Sequence, residues 1–231
     1  MCPECKRTLG YLITAMTFFA LAIAMVLFYV PTEASMGSIQ KIFYLHLPVA
    51  IATFVACLIC FAASIAFAVT RDMKWDRLAS ASARIAVVFC SVVLLTGMIW
   101  GKSAWGQWWT WSPRLTFSLV LWLLYVVYVM VRASVESPQR RAIIAAVYGI
   151  IAFLDVPLVY LSVRLMPDIH PVSVELAGAM KLTLIAWFVP VFLLMFGLIA
   201  LRFRIDQHTA TTGSGDQQSI AAPMTWAGGT L

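Results

Sequence analysis

The 231-residue chain is 62% hydrophobic and only 11% charged, with a mean hydropathy of +0.92. A soluble domain carries about 25% charged residues, so the composition excludes an ordinary water-facing surface and points to an integral membrane protein. The formal net charge of +6 then speaks of topology rather than of nucleic acid, because Lys and Arg collect on the cytoplasmic side of a membrane.

Taken in order, the chain opens on Cys2-Pro3-Glu4-Cys5, half of a zinc or redox pair with no second half in view. Six apolar runs follow, at about 11–30, 48–70, 82–100, 115–131, 141–162 and 181–201, each near the roughly 20 residues that cross a bilayer. The first run follows Lys6 and Arg7 but is long for a signal sequence. Pro31-Thr32-Glu33-Ala34 is a poor cleavage site, so a retained helix is expected. Cys57 and Cys60 have redox-motif spacing, yet with Cys90 they lie inside apolar runs, where a thiol packs as a small hydrophobe. Asp155 and Pro157 interrupt the fifth run. Pro157 should kink that helix. Asp155, an intramembrane carboxylate and so a candidate for function, is expected toward the outer end, in an ion pair with Arg164 or at a helix end. After Arg204 the composition turns polar and small, which divides the chain into a membrane domain over 1–204 and a disordered tail over 205–231.

The fold class is therefore all-α, a polytopic membrane protein with six transmembrane helices. The N-terminus, the loops after runs two and four, and the C-terminal end together hold eleven Lys and Arg; the opposite side holds five, Lys41, Lys102, Arg114, Arg164 and Lys181. The positive-inside rule puts both termini in the cytoplasm, with loops 31–47, 101–114 and 163–180 facing outward.

The middle outward loop reads Trp105-Gly106-Gln107-Trp108-Trp109-Thr110-Trp111-Ser112-Pro113-Arg114-Leu115-Thr116, with four tryptophans in seven residues. An interfacial aromatic belt would account for them; so would a flat platform for a flat, apolar ligand. Two of the three histidines flank this loop on the same side. His46 stands in Tyr44-Leu45-His46-Leu47-Pro48, with Pro48 expected in the first turn of the second helix and the histidine just outside it. His170 stands in the third outward loop. Each alone could be a plain interfacial polar residue. As a pair they could hold haem iron from both faces, and Lys41, Lys102, Arg164 and above all Arg114 could meet the propionates. Zinc wants three or four ligands, and the outer loops add chiefly Glu33, Asp168 and Glu175, so haem fits better.

The stretch Trp105–Thr116 resembles the tryptophan-rich signature of the haem-handling proteins, written Trp-Gly-x-x-Trp-x-Trp-Asp-x-Arg-Leu-Thr. With the six-helix layout, and with Ile42–Pro48 similar to the family's first histidine segment, the resemblance is to its CcmC branch and covers about 38–200. It implies haem b carried transiently as cargo and bound at the outer (periplasmic) face of the bacterial inner membrane. His46 and His170 would be axial ligands, Trp105, Trp108, Trp109 and Trp111 the platform, and Arg114 the motif cation. It implies delivery to a membrane-anchored haem chaperone (CcmE-like) for c-type cytochrome biogenesis, beside an ABC-type complex (CcmA-, CcmB- and CcmD-like). Ser112 stands where the motif has Asp, keeping a hydrogen-bonding side chain without the charge.

Three alternatives are weighed against this reading. Haem-lyase enzymes share the tryptophan motif but carry more helices, more histidines and a large outer domain. A membrane electron-transfer cytochrome would need histidines stacked inside helices, and a permease would need polar helix faces; neither pattern is present.

Overall fold

The computed structural model describes residues 3–34, 36–166 and 176–220. The fold is all helical: α1 (Pro3–Ala24), α2 (Phe43–Thr70), α3 (Met73–Trp105), α4 (Pro113–Ser134), α5 (Pro138–Ala152), α6 (Asp155–Leu165) and α7 (Gly178–Ile220). A π-helical turn at Met25–Tyr29 closes α1, and a 3-10 turn at Ser38–Ile42 leads into α2. Among the described residues six helical segments are long and apolar enough to cross a membrane, the fifth being α5 and α6 together over Pro138–Ser162. In hydrocarbon every backbone polar group must find its partner within the protein, which leaves helices as the spanning elements of this chain.

Four boundaries differ from the sequence expectation. First, α2 begins at Phe43, because the 3-10 turn runs straight into it. His46 is thus inside the helix, and Pro48 lies in its second turn, where the missing N–H forfeits a single bond to the Tyr44 carbonyl. Second, α3 runs on to Trp105, so the outward tryptophan loop is shorter than 101–114. Third, the fifth run breaks at Phe153–Leu154. Proline at position 157 crowds the carbonyl four residues earlier, that of Phe153, and the break falls there. Fourth, the polar change after Arg204 does not end the last helix, which continues to Ile220; residues 221–231 lie outside the described residues.

Small side chains set the packing. Ala52, Ala56 and Ala63 on α2 and Ala79, Ala83 and Ala86 on α3 are buried in one core cluster. Small residues let membrane helices approach closely, where apolar contact alone gives little preference over lipid. α1 docks on α7 through the Trp187 indole, which donates to the Ala22 carbonyl (3.1 Å), and through the Tyr11 hydroxyl, which donates to Leu193. Cys57, Cys60 and Cys90 are buried free thiols, in keeping with the packing expectation.

The end of the bundle away from the tryptophans is locked by a buried ion pair. Arg132, in the last turn of α4, grips Asp76, in the first turn of α3, through both guanidinium nitrogens, the second at 2.9 Å. Both side chains are over nine-tenths buried, and each sits at the helix end whose dipole favours its charge. Arg132→Met alone, which strands the carboxylate, should cost about 3–5 kcal/mol, and adding Asp76→Leu should restore most of it. Thermal unfolding in detergent checks this; a single variant as stable as the wild type would show that the pair is not dry.

Candidate haem-binding cavity

The local sequence explains how the tryptophan loop is bounded. Gly106 adopts φ +76° and ends α3, its N–H bonding back to the Lys102 carbonyl at 3.1 Å; glycine takes this left-handed C-terminal position without a Cβ penalty. Pro113 opens α4 at its first position, where no intrahelical N–H is needed. The loop folds back over α3 at Gly101, where a Cβ would stand 3.3 Å from the Gln107 carbonyl oxygen. Ser112 holds the N-cap position of α4, but its hydroxyl is buried without a partner. Its carbonyl accepts instead, from the Thr116 amide at 3.0 Å and the Thr116 hydroxyl at 2.9 Å.

Beside this loop is a cavity of about 340 Å³, walled by α2, α3, α4, α6 and α7. Pockets for small molecules and cofactors span about 300–1,000 Å³, mostly apolar with a few placed polar groups. Here the apolar wall includes Leu47, Phe54, Leu94, Leu121 and Leu184; His46, Arg114 and Ser118 supply polar groups. The half-buried imidazole of His46 lies 2.8 Å from the Thr96 hydroxyl through Nδ1, and its ring meets the edge of Trp100 at 5.9 Å.

The sequence-predicted site residues divide. His46 and Arg114 come together in the cavity wall. Trp105 does not line it but stacks on Trp100, which does, with ring centroids 6.4 Å apart. Trp109 is half-buried against the edge of Trp111. Trp108 and Trp111 are 58% and 75% exposed. His170 lies outside the described residues, as do Asp168 and Glu175. Asp155 is buried as the first residue of α6, so the helix-end expectation holds. The Arg164 ion pair does not form among the described residues: nine residues of helix put Arg164 about 14 Å along the axis, exposed over the Tyr160 ring.

Trp100 is the wall residue that the sequence reading missed. It is 5% exposed, in edge contact with Phe43 at 5.9 Å. A tryptophan on the same helix one turn before a tryptophan-rich loop was the available signal. Its indole nitrogen is buried without a partner, as are the Trp109 indole nitrogen and the Thr110 and Ser112 hydroxyls. Buried donors and acceptors left unpaired cost about 1–3 kcal/mol each. These four groups lie in or just before the tryptophan loop, where a polar-edged ligand would find partners; others, among them the Tyr128 hydroxyl and the Arg84 Nε, lie elsewhere in the bundle. No group of three or more His, Cys, Asp or Glu able to hold a bare metal ion is found among the described residues.

The family described as Heme exporter protein C matches residues 4–215. The chain belongs to that family. Heme exporter protein C of Bradyrhizobium diazoefficiens is 33% identical over 153 residues, covering 66% of this chain and 58% of that protein. The protein of the same name from Rhodobacter capsulatus is 34% identical over 115 residues, 50% of this chain and 48% of its own length. That from Escherichia coli K12 is 31% identical over 149 residues, 64% and 60% respectively. The chain thus spans about half the length of the curated relatives it matches.

The burial contrast among the tryptophans makes a stability prediction. Trp100→Ala should cost about 3–5 kcal/mol as a large buried truncation, whereas Trp108→Ala and Trp111→Ala should change stability by no more than about 0.5 kcal/mol. Thermal unfolding of the three variants in one detergent decides it. Equal losses would mean that the loop tryptophans are as buried as Trp100.

Proposed function

We propose that this protein binds haem at the outer face of the bacterial inner membrane and hands it to a membrane-anchored haem chaperone for c-type cytochrome biogenesis. It is a transport component beside an ABC-type complex, not an enzyme. The observation that carries this reading is the cavity that joins the His46 imidazole, the Arg114 guanidinium and the Trp100 indole within an apolar wall next to the tryptophan loop. The relatives' shared name, that of an exporter of haem, supports it.

In this reading haem b is cargo. His46 supplies one axial ligand from α2, and His170 the other from the third outward loop. The apolar wall receives the porphyrin, and Arg114 meets a propionate. Trp105, Trp108, Trp109 and Trp111 form an aromatic surface at the mouth, graded from packed to exposed. A flat aromatic face at an aqueous boundary suits a ligand that must be held and then passed on. Both termini lie in the cytoplasm, as the Lys and Arg distribution requires. Residues 1–204 form the haem-handling membrane domain.

Purification in mild detergent with haem supplied, followed by visible spectra and a pyridine haemochrome assay, tests this. The wild type should carry a Soret band with six-coordinate α and β bands. His46→Ala and His170→Ala should each lose most of the haem, since one axial bond is removed. A colourless wild type, or full retention in both variants, would overturn the reading. Arg114→Ala should weaken binding of haem more than of a porphyrin lacking propionates; equal losses would remove the propionate role.

A further inference from the structure

The His46 ring is seated on three consecutive features of α3. Its Nδ1 lies 2.8 Å from the Thr96 hydroxyl oxygen. Its Cε1 lies where a Cβ on Gly97 would come within 3.3 Å. Its edge meets Trp100. Thr96 is bonded in the other direction as well: its hydroxyl lies 2.7 Å from the Val92 carbonyl oxygen and 3.2 Å from that of Val93. Two oxygens at 2.7 Å need a proton between them, and a carbonyl can only accept. The Thr96 hydroxyl hydrogen therefore goes to the backbone, and toward His46 the same oxygen acts as acceptor. The imidazole must then donate from Nδ1, which makes Nε2 the nitrogen that bears the lone pair.

We propose that Thr96 is a positioning residue for iron ligation: its backbone-anchored hydroxyl fixes His46 as the Nδ1–H tautomer, so that Nε2 is the ligand atom, while Gly97 leaves room for the ring against α3. This deepens the haem-binding reading and rests on it. A histidine that ligates a metal through one nitrogen ordinarily donates the other N–H to a fixed acceptor, which sets the tautomer, the ring plane and the basicity of the ligand. Most such acceptors are carboxylates or carbonyls. In hydrocarbon a carboxylate would be costly, and the α3 carbonyls are engaged in the helix. A threonine that turns its proton inward onto its own helix offers the acceptor without a charge. Because the oxygen is neutral, its pull on the Nδ1 proton is modest, which suits iron that must be released.

The test uses the full-length protein and two substitutions, Thr96→Val, which keeps the shape and removes the oxygen, and Thr96→Ser, which keeps the oxygen. In ligand-free protein labelled with 15N-histidine, the chain's three histidines make assignment direct. His46 should show a protonated Nδ1 and an unprotonated Nε2 in the wild type and in Thr96→Ser, and a mixture of tautomers in Thr96→Val. On haem titration Thr96→Val should bind about 10- to 100-fold more weakly, and its midpoint potential should rise because the ligand is less electron-rich. Thr96→Ser should match the wild type in both. Gly97→Ala should also weaken binding while leaving the tautomer in place. If Thr96→Val keeps the tautomer, affinity and potential of the wild type, the positioning role is overturned. If Thr96→Ser fails as Thr96→Val does, the methyl and not the hydroxyl matters, and the role is again overturned. Neither result touches the haem-binding reading, which fails separately if the wild type binds no haem or if His46→Ala and His170→Ala both bind it unchanged.

Discussion

The close approach of α2 to α3 is the constraint on which the rest of the structure depends. Alanines at 52, 56 and 63 on one helix and at 79, 83 and 86 on the other remove side-chain bulk from the core between them. The two-residue connection at Arg71 and Asp72 starts them together. Asp72 caps α3 by accepting the Lys74 amide at 2.8 Å, and Arg71 takes the left-handed conformation that ends α2. From that fixed corner both helices run the thickness of the membrane. At the far end Gly97 continues the small-residue theme, and there the approach is close enough for the His46 ring to lie against the α3 backbone. A larger residue at any of these positions would open the pair and move the imidazole off the hydroxyl that holds it.

The two ends of the bundle are held in different ways. At one, Asp76 and Arg132 satisfy each other by bidentate contact and are sealed from solvent. Breaking either partner leaves a stranded charge, so α3 and α4 are held in a single relation. At the other, the same two helices contribute to the wall of a cavity and are joined by a loop in which several buried polar atoms lack partners. The tryptophans are divided too: Trp100 and Trp105 are stacked into the protein, while Trp108 and Trp111 project from it.

Much of this was legible in the sequence, because its signals are local. Apolar run length marked the six spans. Gly106 and the Ser112-Pro113 step, which bound the tryptophan loop by backbone chemistry, were local signals too, though the expected loop of 101–114 was drawn too wide for them. Pro157 announced a break in the fifth run. The part that was not legible depends on contacts between helices. Thr96, Gly97 and Trp100 sit in or beside a run so uniformly apolar that no face of the helix stands out, and only packing shows that they meet His46. Pro48 misled because proline reads as a helix start, whereas here a preceding 3-10 turn supplied the start. The polar change after Arg204 gave no sign that α7 continues to Ile220, because a helix can carry polar residues with its backbone bonds intact.

A cargo site differs from a resident cofactor site in what it must avoid. A resident haem is best served by ligands that are rigid on both faces; a haem to be handed on needs one face that can let go. The proposed ligands fit that asymmetry. The second proposed ligand, His170, lies outside the described residues, in the stretch between α6, which follows the break at Phe153–Leu154, and α7. His46 is inside a helix, hydrogen-bonded through Thr96 to the α3 backbone and walled by Trp100, so its geometry is set before the iron arrives.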